Sequence, residues 1–210
     1  LVVGGSYSFT NSGAKKIINQ LLKKKENYLF LKEKKLPEIS ELLKLIKTIK
    51  KIKPDLIICI GGGSVMDLSK IANVTFENDN LKERIKNNNI FFKKQYCKLV
   101  AIPTTAGSGA EVTTNAVIYV NNIKYSVENK LIKPTYMALF PELVMQNKNL
   151  NMVQSSAFDS FAQAVESMFS VKSTNESVLN SEKSIKLFLA NYKKFLSKKS
   201  IESAYNLSLS

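Results

Sequence analysis

Asp55-Leu-Ile-Ile-Cys-Ile60 runs straight into Gly61-Gly62-Gly63-Ser64 and then into Val65-Met-Asp-Leu-Ser-Lys-Ile-Ala-Asn73. The near-continuous apolar run reads as a strand buried on both faces, as in a parallel sheet. The stretch after the glycines reads as a helix, with Ser64 placed to cap it. Strand, glycine turn, helix start is how α/β proteins build a phosphate cradle. Glycine lets the backbone approach the anion, and the first amides of a helix lack acceptors of their own. A second junction of this kind follows, where Leu99-Val-Ala-Ile-Pro103 leads into Thr104-Thr105-Ala106-Gly107-Ser108-Gly109. A tight strand-to-helix turn would also use glycine, and Thr and Ser are ordinary turn formers. Three successive glycines, however, cost up to about 1 kcal/mol each against alanine, more than a plain turn requires. Together the loops point to a nucleotide site at Gly61, Gly62, Gly63, Ser64, Thr104, Thr105 and Ser108.

Outward from this centre, strands and helices alternate. Residues 1–4 read as a strand, and Asn11-Ser12-Gly13 opens a helix expected to reach about residue 25. A short strand is expected at 28–31. Pro37 stands in the first turn of a helix over 38–51, whose Ile39, Leu42, Leu43, Leu45 and Ile46 make an apolar face, and Pro54 stops it. The polar stretch 75–94 has a weak helical middle, and residues 98–102 form another buried strand. Residues 115–120 and 124–127, parted by Asn121-Asn122, predict a β-hairpin, and 136–140 a last short strand. From about residue 151 strand signals cease, and helices are expected over 153–170, 174–196 and 200–210. The fold class is therefore α/β: an N-terminal Rossmann-like, doubly wound parallel sheet over 1–148, then the start of an all-helical domain over 149–210. The first residue is Leu1 within a strand, and the chain stops shortly after a helix, so both ends read as cut.

Composition narrows the function classes. A chain of 210 residues with 44% hydrophobic content can bury one good core and part of a second. No apolar run is long enough for a membrane-spanning helix, and no leader pattern is visible. Two cysteines give neither a disulfide framework nor zinc-ligand spacing, which fits a reducing cytoplasm. The net charge of +14 invites a nucleic-acid reading. But Arg84 is the only arginine, and the lysines are spread over helix faces, whereas nucleic-acid binders concentrate arginine and interleave aromatics. No nucleic-acid partner is expected. The positive potential would favour anionic cofactors and substrates.

Three collinear stretches carry a resemblance: Gly61-Gly-Gly-Ser-Val-Met-Asp-Leu-Ser-Lys70, Ala101-Ile-Pro-Thr-Thr-Ala-Gly-Ser-Gly-Ala-Glu-Val-Thr113, and Phe158-Asp-Ser-Phe-Ala-Gln-Ala-Val-Glu-Ser167. They resemble the iron-containing (group III) alcohol dehydrogenase family, in which a dinucleotide-binding α/β domain precedes a helical metal-binding domain. The resemblance implies hydride transfer between NAD or NADP and a small alcohol or aldehyde, a divalent metal (Fe²⁺ or Zn²⁺) between the domains, and a homodimer or larger homo-oligomer. By position, Gly61, Gly62, Gly63 and Ser64 would hold the pyrophosphate, and Thr104, Thr105 and Ser108 would line the adenosine and phosphate side. Asn115, Lys124 and Leu139 match cofactor-contacting positions. Asp67 matches a residue near the nicotinamide pocket and is the candidate catalytic-site residue, orienting substrate or nicotinamide rather than acting as base. Asp159 matches the first metal ligand.

The departures are specific. The family's Asp-x-x-x-His pair is Asp159 and Gln163 here, and an amide is a poor transition-metal ligand beside imidazole. The chain contains no histidine, so the family's other two ligands would fall beyond Ser210. The family's Asp-Pro pair is replaced by Phe140-Pro141. The stretch 163–177 resembles the phosphonoacetaldehyde reductase branch. After the first strand come Gly4, Gly5 and Ser6, with no carboxylate to repel a 2′-phosphate, so NADP stays open beside NAD. Two other readings stand beside the dehydrogenase one. The first is a dehydroquinate-synthase-like or polyol-phosphate dehydrogenase relative; the second is a nucleotide-binding fragment without catalysis.

Overall fold

The strand read at 55–60 lies at the middle of the sheet. The computed structural model describes residues 1–23, 26–146, 150–198 and 200–210. In chain order the elements are β1 (Val2–Gly5), α1 (Ser6–Asn11), α2 (Ala14–Leu21), β2 (Leu29–Lys32), α3 (Ile39–Ile52), β3 (Leu56–Gly61), α4 (Gly63–Thr75), α5 (Leu81–Lys86), β4 (Lys98–Pro103), the hairpin β5 (Asn115–Val120) and β6 (Ile123–Glu128), β7 (Tyr136–Met137), α6 (Pro141–Met145), α7 (Leu150–Phe169), α8 (Asn175–Ser197) and α9 (Ile201–Leu209). Among the described residues, one sheet has the order β2-β1-β3-β4-β7 with every pairing parallel.

Alternation along the strands assigns the two faces. Val3, Ile57, Cys59, Leu99 and Ala101 point to the side covered by α3 and α4, where Leu42, Leu45, Ile49, Met66, Leu68 and Ile71 complete the larger core. Val2, Ile58, Ile60 and Ile102 point the other way, onto Phe9, Ala14, Ile18 and Leu143. The strand order reverses between β1 and β3, which puts the ligand crevice of a doubly wound sheet at their carboxyl ends. The hairpin packs on the outside of α4, so that helix lies between two layers. Nearly every residue from Val65 to Thr75 is buried, Asp67 excepted. The Asn121 and Asn122 turn takes φ 51° and 65°, the pair of left-handed residues that a type I′ hairpin needs.

Several boundaries differ from the sequence reading. The helix expected to open at residues 11–13 is α2, which starts after Gly13 (φ 83°) and ends at Leu21, and a short helix, α1, that the sequence reading did not contain precedes it. Lys24 and Lys25 lie outside the described residues. Ser64 does not cap α4: the N-cap is Gly62, and no side chain caps that end. Pro37 precedes α3 rather than opening it, and its carbonyl accepts the Tyr119 amide at 2.8 Å. The last strand is two residues, because only Tyr136 and Met137 pair with β4.

The expected boundary between 148 and 149 falls outside the described residues. Beyond it, Val153, Ala157, Phe188, Phe195, Ala204 and Leu207 form a third core that also takes in Ala106 and Val144. The helical part thus packs directly over the second glycine loop. Reciprocal capping boxes, Thr174 with Ser177 and Ser200 with Ser203, start α8 and α9. No helix among the described residues is long and apolar enough to cross a membrane.

Candidate nucleotide site

Because β3 and β4 are neighbours in register, their glycine loops leave the sheet side by side. The Thr104 amide donates to the Gly61 carbonyl at 2.9 Å, which joins the loops at their base. Further out, a Cβ on Gly62 would lie 3.5 Å from Thr105 Oγ1, and one on Gly63 3.1 Å from Ser108 Cβ and 3.3 Å from its Oγ. Gly61 has a packing reason to be glycine, since its Cβ would meet Val65 at 2.7 Å. Gly62 has none: its φ of −81° is ordinary, and a Cβ would make only normal contact with Thr105. What glycine preserves there is open approach to the backbone. Gly63 and Ser64 occupy the first two positions of α4, where no carbonyl lies a turn behind to take their amides. A dinucleotide diphosphate fits this cradle. It would meet helix-N-terminal amides on one side and the hydroxyls of Thr105 and Ser108 on the other.

The two glycines that end β1, Gly4 and Gly5, meet packing neighbours instead. A Cβ on Gly4 would run into Phe9, and one on Gly5 would lie 2.7 Å from Ser8 Oγ. Close seating of Phe9 of α1 on β1 therefore accounts for Gly4, whereas the Ser8 hydroxyl beside Gly5 can turn aside.

Asp67, one turn into α4, is half-buried. Burial pushes its carboxyl pKa up to about 6; the Lys70 ammonium, a hydrogen bond from the Val117 amide and the Lys124 charge each pull the other way. Lys124 is exposed on β6, near enough to act on that carboxylate. Asn115 is exposed at the start of β5, and its carbonyl accepts from Lys70. Leu139 lies half-buried just past β7, at the same sheet edge, between Ala138 and Phe140, which pack on the second core.

Asp159 and Gln163 are one turn apart on α7, both exposed. Gln163 Nε2 donates to Asp159 Oδ2 at 2.9 Å and to the Gly107 carbonyl at 3.3 Å. Both partners are acceptors, so the amide must turn its nitrogen, not its oxygen, toward them. Among the described residues no group of three His, Cys, Asp or Glu side chains converges. These residues do not fit a transition-metal centre, and no chemistry is derived through one.

Two residues were missed by the sequence reading. Lys70 is 0% exposed, and its Nζ donates to Ala110 O at 2.8 Å, Thr113 Oγ1 at 3.1 Å and Asn115 O at 2.6 Å. Burial lowers its pKa, opposed by the nearby Asp67, Cys59 and Glu111. The available signal was a lysine inside a helix apolar on nearly every side. Glu111 has a buried Oε2 with no partner among the described residues, and burial raises its pKa. It lines a cavity of about 510 Å³ shared with Gly107, Gly109, Gln163 and several serines of α7 and α8.

The chain matches the profile of the family described as iron-containing alcohol dehydrogenase over residues 1–141. It is 32% identical over 143 residues to an alcohol dehydrogenase of Thermococcus barophilus, covering 65% of this chain and 38% of that protein. It is 29% identical over 143 residues to a phosphonoacetaldehyde reductase of Streptomyces viridochromogenes, covering 60% of this chain and 34% of that one. Among solved structures, sulfoacetaldehyde reductase from Bifidobacterium kashiwanohense in complex with NAD⁺ superposes with a TM-score of 0.89 at 21% identity. That match covers 99% of this chain and 55% of the other, and shows the fold. The chain thus spans only part of the length of the relatives it matches.

Proposed function

The chain belongs to the iron-containing alcohol dehydrogenase family, and on that premise we propose that its paired glycine loops hold the diphosphate of NAD or NADP for alcohol or aldehyde oxidoreduction. The observation that carries this reading is the facing of Gly62 with Thr105 and of Gly63 with Ser108 across the carboxyl ends of β3 and β4. When bound, the nicotinamide supplies or accepts the hydride exchanged with the alcohol or aldehyde carbon. The chain's own residues bind and orient. The Gly63 and Ser64 amides meet negative charge at the positive end of α4, and Thr105 and Ser108 donate hydroxyl hydrogen bonds. Asp67 and Lys124 flank the approach from the hairpin side, where Asp67 orients rather than abstracts.

The substrate is a small alcohol or aldehyde, with phosphonoacetaldehyde as the specific candidate. The resemblance over 163–177, the relative of that name and the basic charge support it. The α/β unit over 1–148 is the dinucleotide-binding part in this reading, and 149–210 opens the helical part.

The test is a titration of the complete protein with NADH and NADPH, followed by fluorescence, beside Gly62→Ala. Wild type should bind at least one cofactor, and the variant, whose methyl makes only ordinary contact with Thr105 but covers the backbone the diphosphate would approach, should lose at least tenfold in affinity with a near-unchanged melting temperature. Equal affinity in the two proteins would remove the cradle. Turnover of phosphonoacetaldehyde against uncharged aldehydes then decides the substrate; equal rates exclude the phosphonate preference.

A further inference from the structure

Lys70 is a whole ammonium group removed from water, and no carboxylate lies within ion-pair distance of it among the described residues. Burying a charge in this way costs several kcal/mol unless its hydrogen bonds are all met with good geometry. They are met: three protons find three acceptors at 2.8, 3.1 and 2.6 Å. All three belong to a single short segment, at positions 110, 113 and 115. A methionine would fill the same space without the desolvation cost, so space-filling does not explain the charge.

The segment so held joins the second glycine loop, ending at Gly109, to the hairpin that carries Val117 and Lys124. It contains no helix or strand of its own before Asn115. The same helix packs along β5 of that hairpin. α4 therefore presents the first glycine loop at its N-terminus, and two turns along its body it fixes the far end of the second.

We propose that Lys70 is a positioning residue for the dinucleotide site. Its three hydrogen bonds hold residues 110–115 against α4 and so set the separation at which the two glycine loops face one another across a nucleotide diphosphate. The inference rests on the nucleotide reading above. It touches no reacting atom and assigns Lys70 no part in hydride transfer.

The experiment uses the complete protein and a double-mutant cycle of Lys70→Met and Thr113→Val, read by NADH titration, cofactor KM, kcat and melting temperature. Lys70→Met should weaken NADH binding at least tenfold and raise the cofactor KM to match, with kcat at saturating cofactor within about threefold of wild type. Thr113→Val removes one of the three acceptors and should cost about threefold. The double variant should be no weaker than Lys70→Met alone, because both act through the same bond. A lysine that merely stabilises the core would lower the melting temperature and leave NADH affinity and the cycle untouched, and that result overturns the inference. Should Lys70→Met fail to fold, Thr113→Val decides: unchanged NADH affinity in that folded variant overturns the inference equally. A wild type that binds neither NADH nor NADPH would sink the nucleotide reading itself and this inference with it. A wild type that binds beside a folded Lys70→Met of equal affinity sinks this one alone.

Discussion

Gly107 presses its α-carbon against the main-chain carbonyl of Ser156, so that a Cβ at that position would fall on the carbonyl oxygen. Its φ of +126° lies where side chains are strained in any case. The contact joins the second glycine loop to α7. Gly107→Ala should destabilise the protein by about 2–4 kcal/mol, combining backbone strain with a forced shift of α7. Urea unfolding of wild type and variant measures it, and a loss below about 0.5 kcal/mol would mean that α7 yields freely at Ser156.

Asp67 titrates across a window that the fold itself creates. Burial raises its carboxyl pKa from 3.8 to about 6. A raised carboxyl pKa means the folded state holds its proton more tightly than the unfolded chain. That contribution to stability is complete below about pH 4 and is lost as pH rises through about 6. Wild type should therefore lose stability over that interval relative to Asp67→Asn, which cannot ionise. Melting curves from pH 4 to 7 provide the check; parallel profiles would show the carboxyl to be less desolvated than its surroundings imply.

Gln163→His rebuilds the Asp-x-x-x-His spacing on α7, where residues four apart share a face. Imidazole is a far better ligand than an amide for Zn²⁺ or Fe²⁺. In the complete protein the variant should bind Zn²⁺ at least tenfold more tightly than wild type by isothermal titration. Equal affinity would show that Asp159 cannot be drawn away from its present partner.

The two thiols should be slow nucleophiles in the native state. Burial pushes Cys59 up to about 12 and Cys97 to about 11, leaving almost no thiolate at pH 8. Iodoacetamide labelling followed by mass spectrometry should find Cys59 unmodified until urea unfolds the chain. Rapid native labelling of Cys59 would instead report opening of the sheet around β3.

The parallel sheet was legible because β3 and β4 are continuous apolar runs, and the hairpin because Asn121-Asn122 suits a turn of two left-handed residues. The short strands β1 and β2 were legible too, but the shortest helices were not. α1 and α6 are six and five residues long, stabilised by packing of Phe9 and Leu143 rather than by any local pattern. Ser64 has the composition of a cap but stands two residues too late, because the chain enters α4 at Gly62.

Residue order alone determined that two neighbouring strands end in glycine loops; the first opens a helix as read, whereas the second runs on to the hairpin without one. Residue order sufficed for the loops because steric freedom at glycine and unpaired helix-start amides are local properties. Which glycines packing demands was decided only in three dimensions: Gly61 answers to Val65, Gly107 to Ser156, and Gly62 to neither. The same holds for Lys70. Its partners lie 40 to 45 residues away, and only the layering of the hairpin over α4 turns an ordinary-looking lysine into a fully buried one.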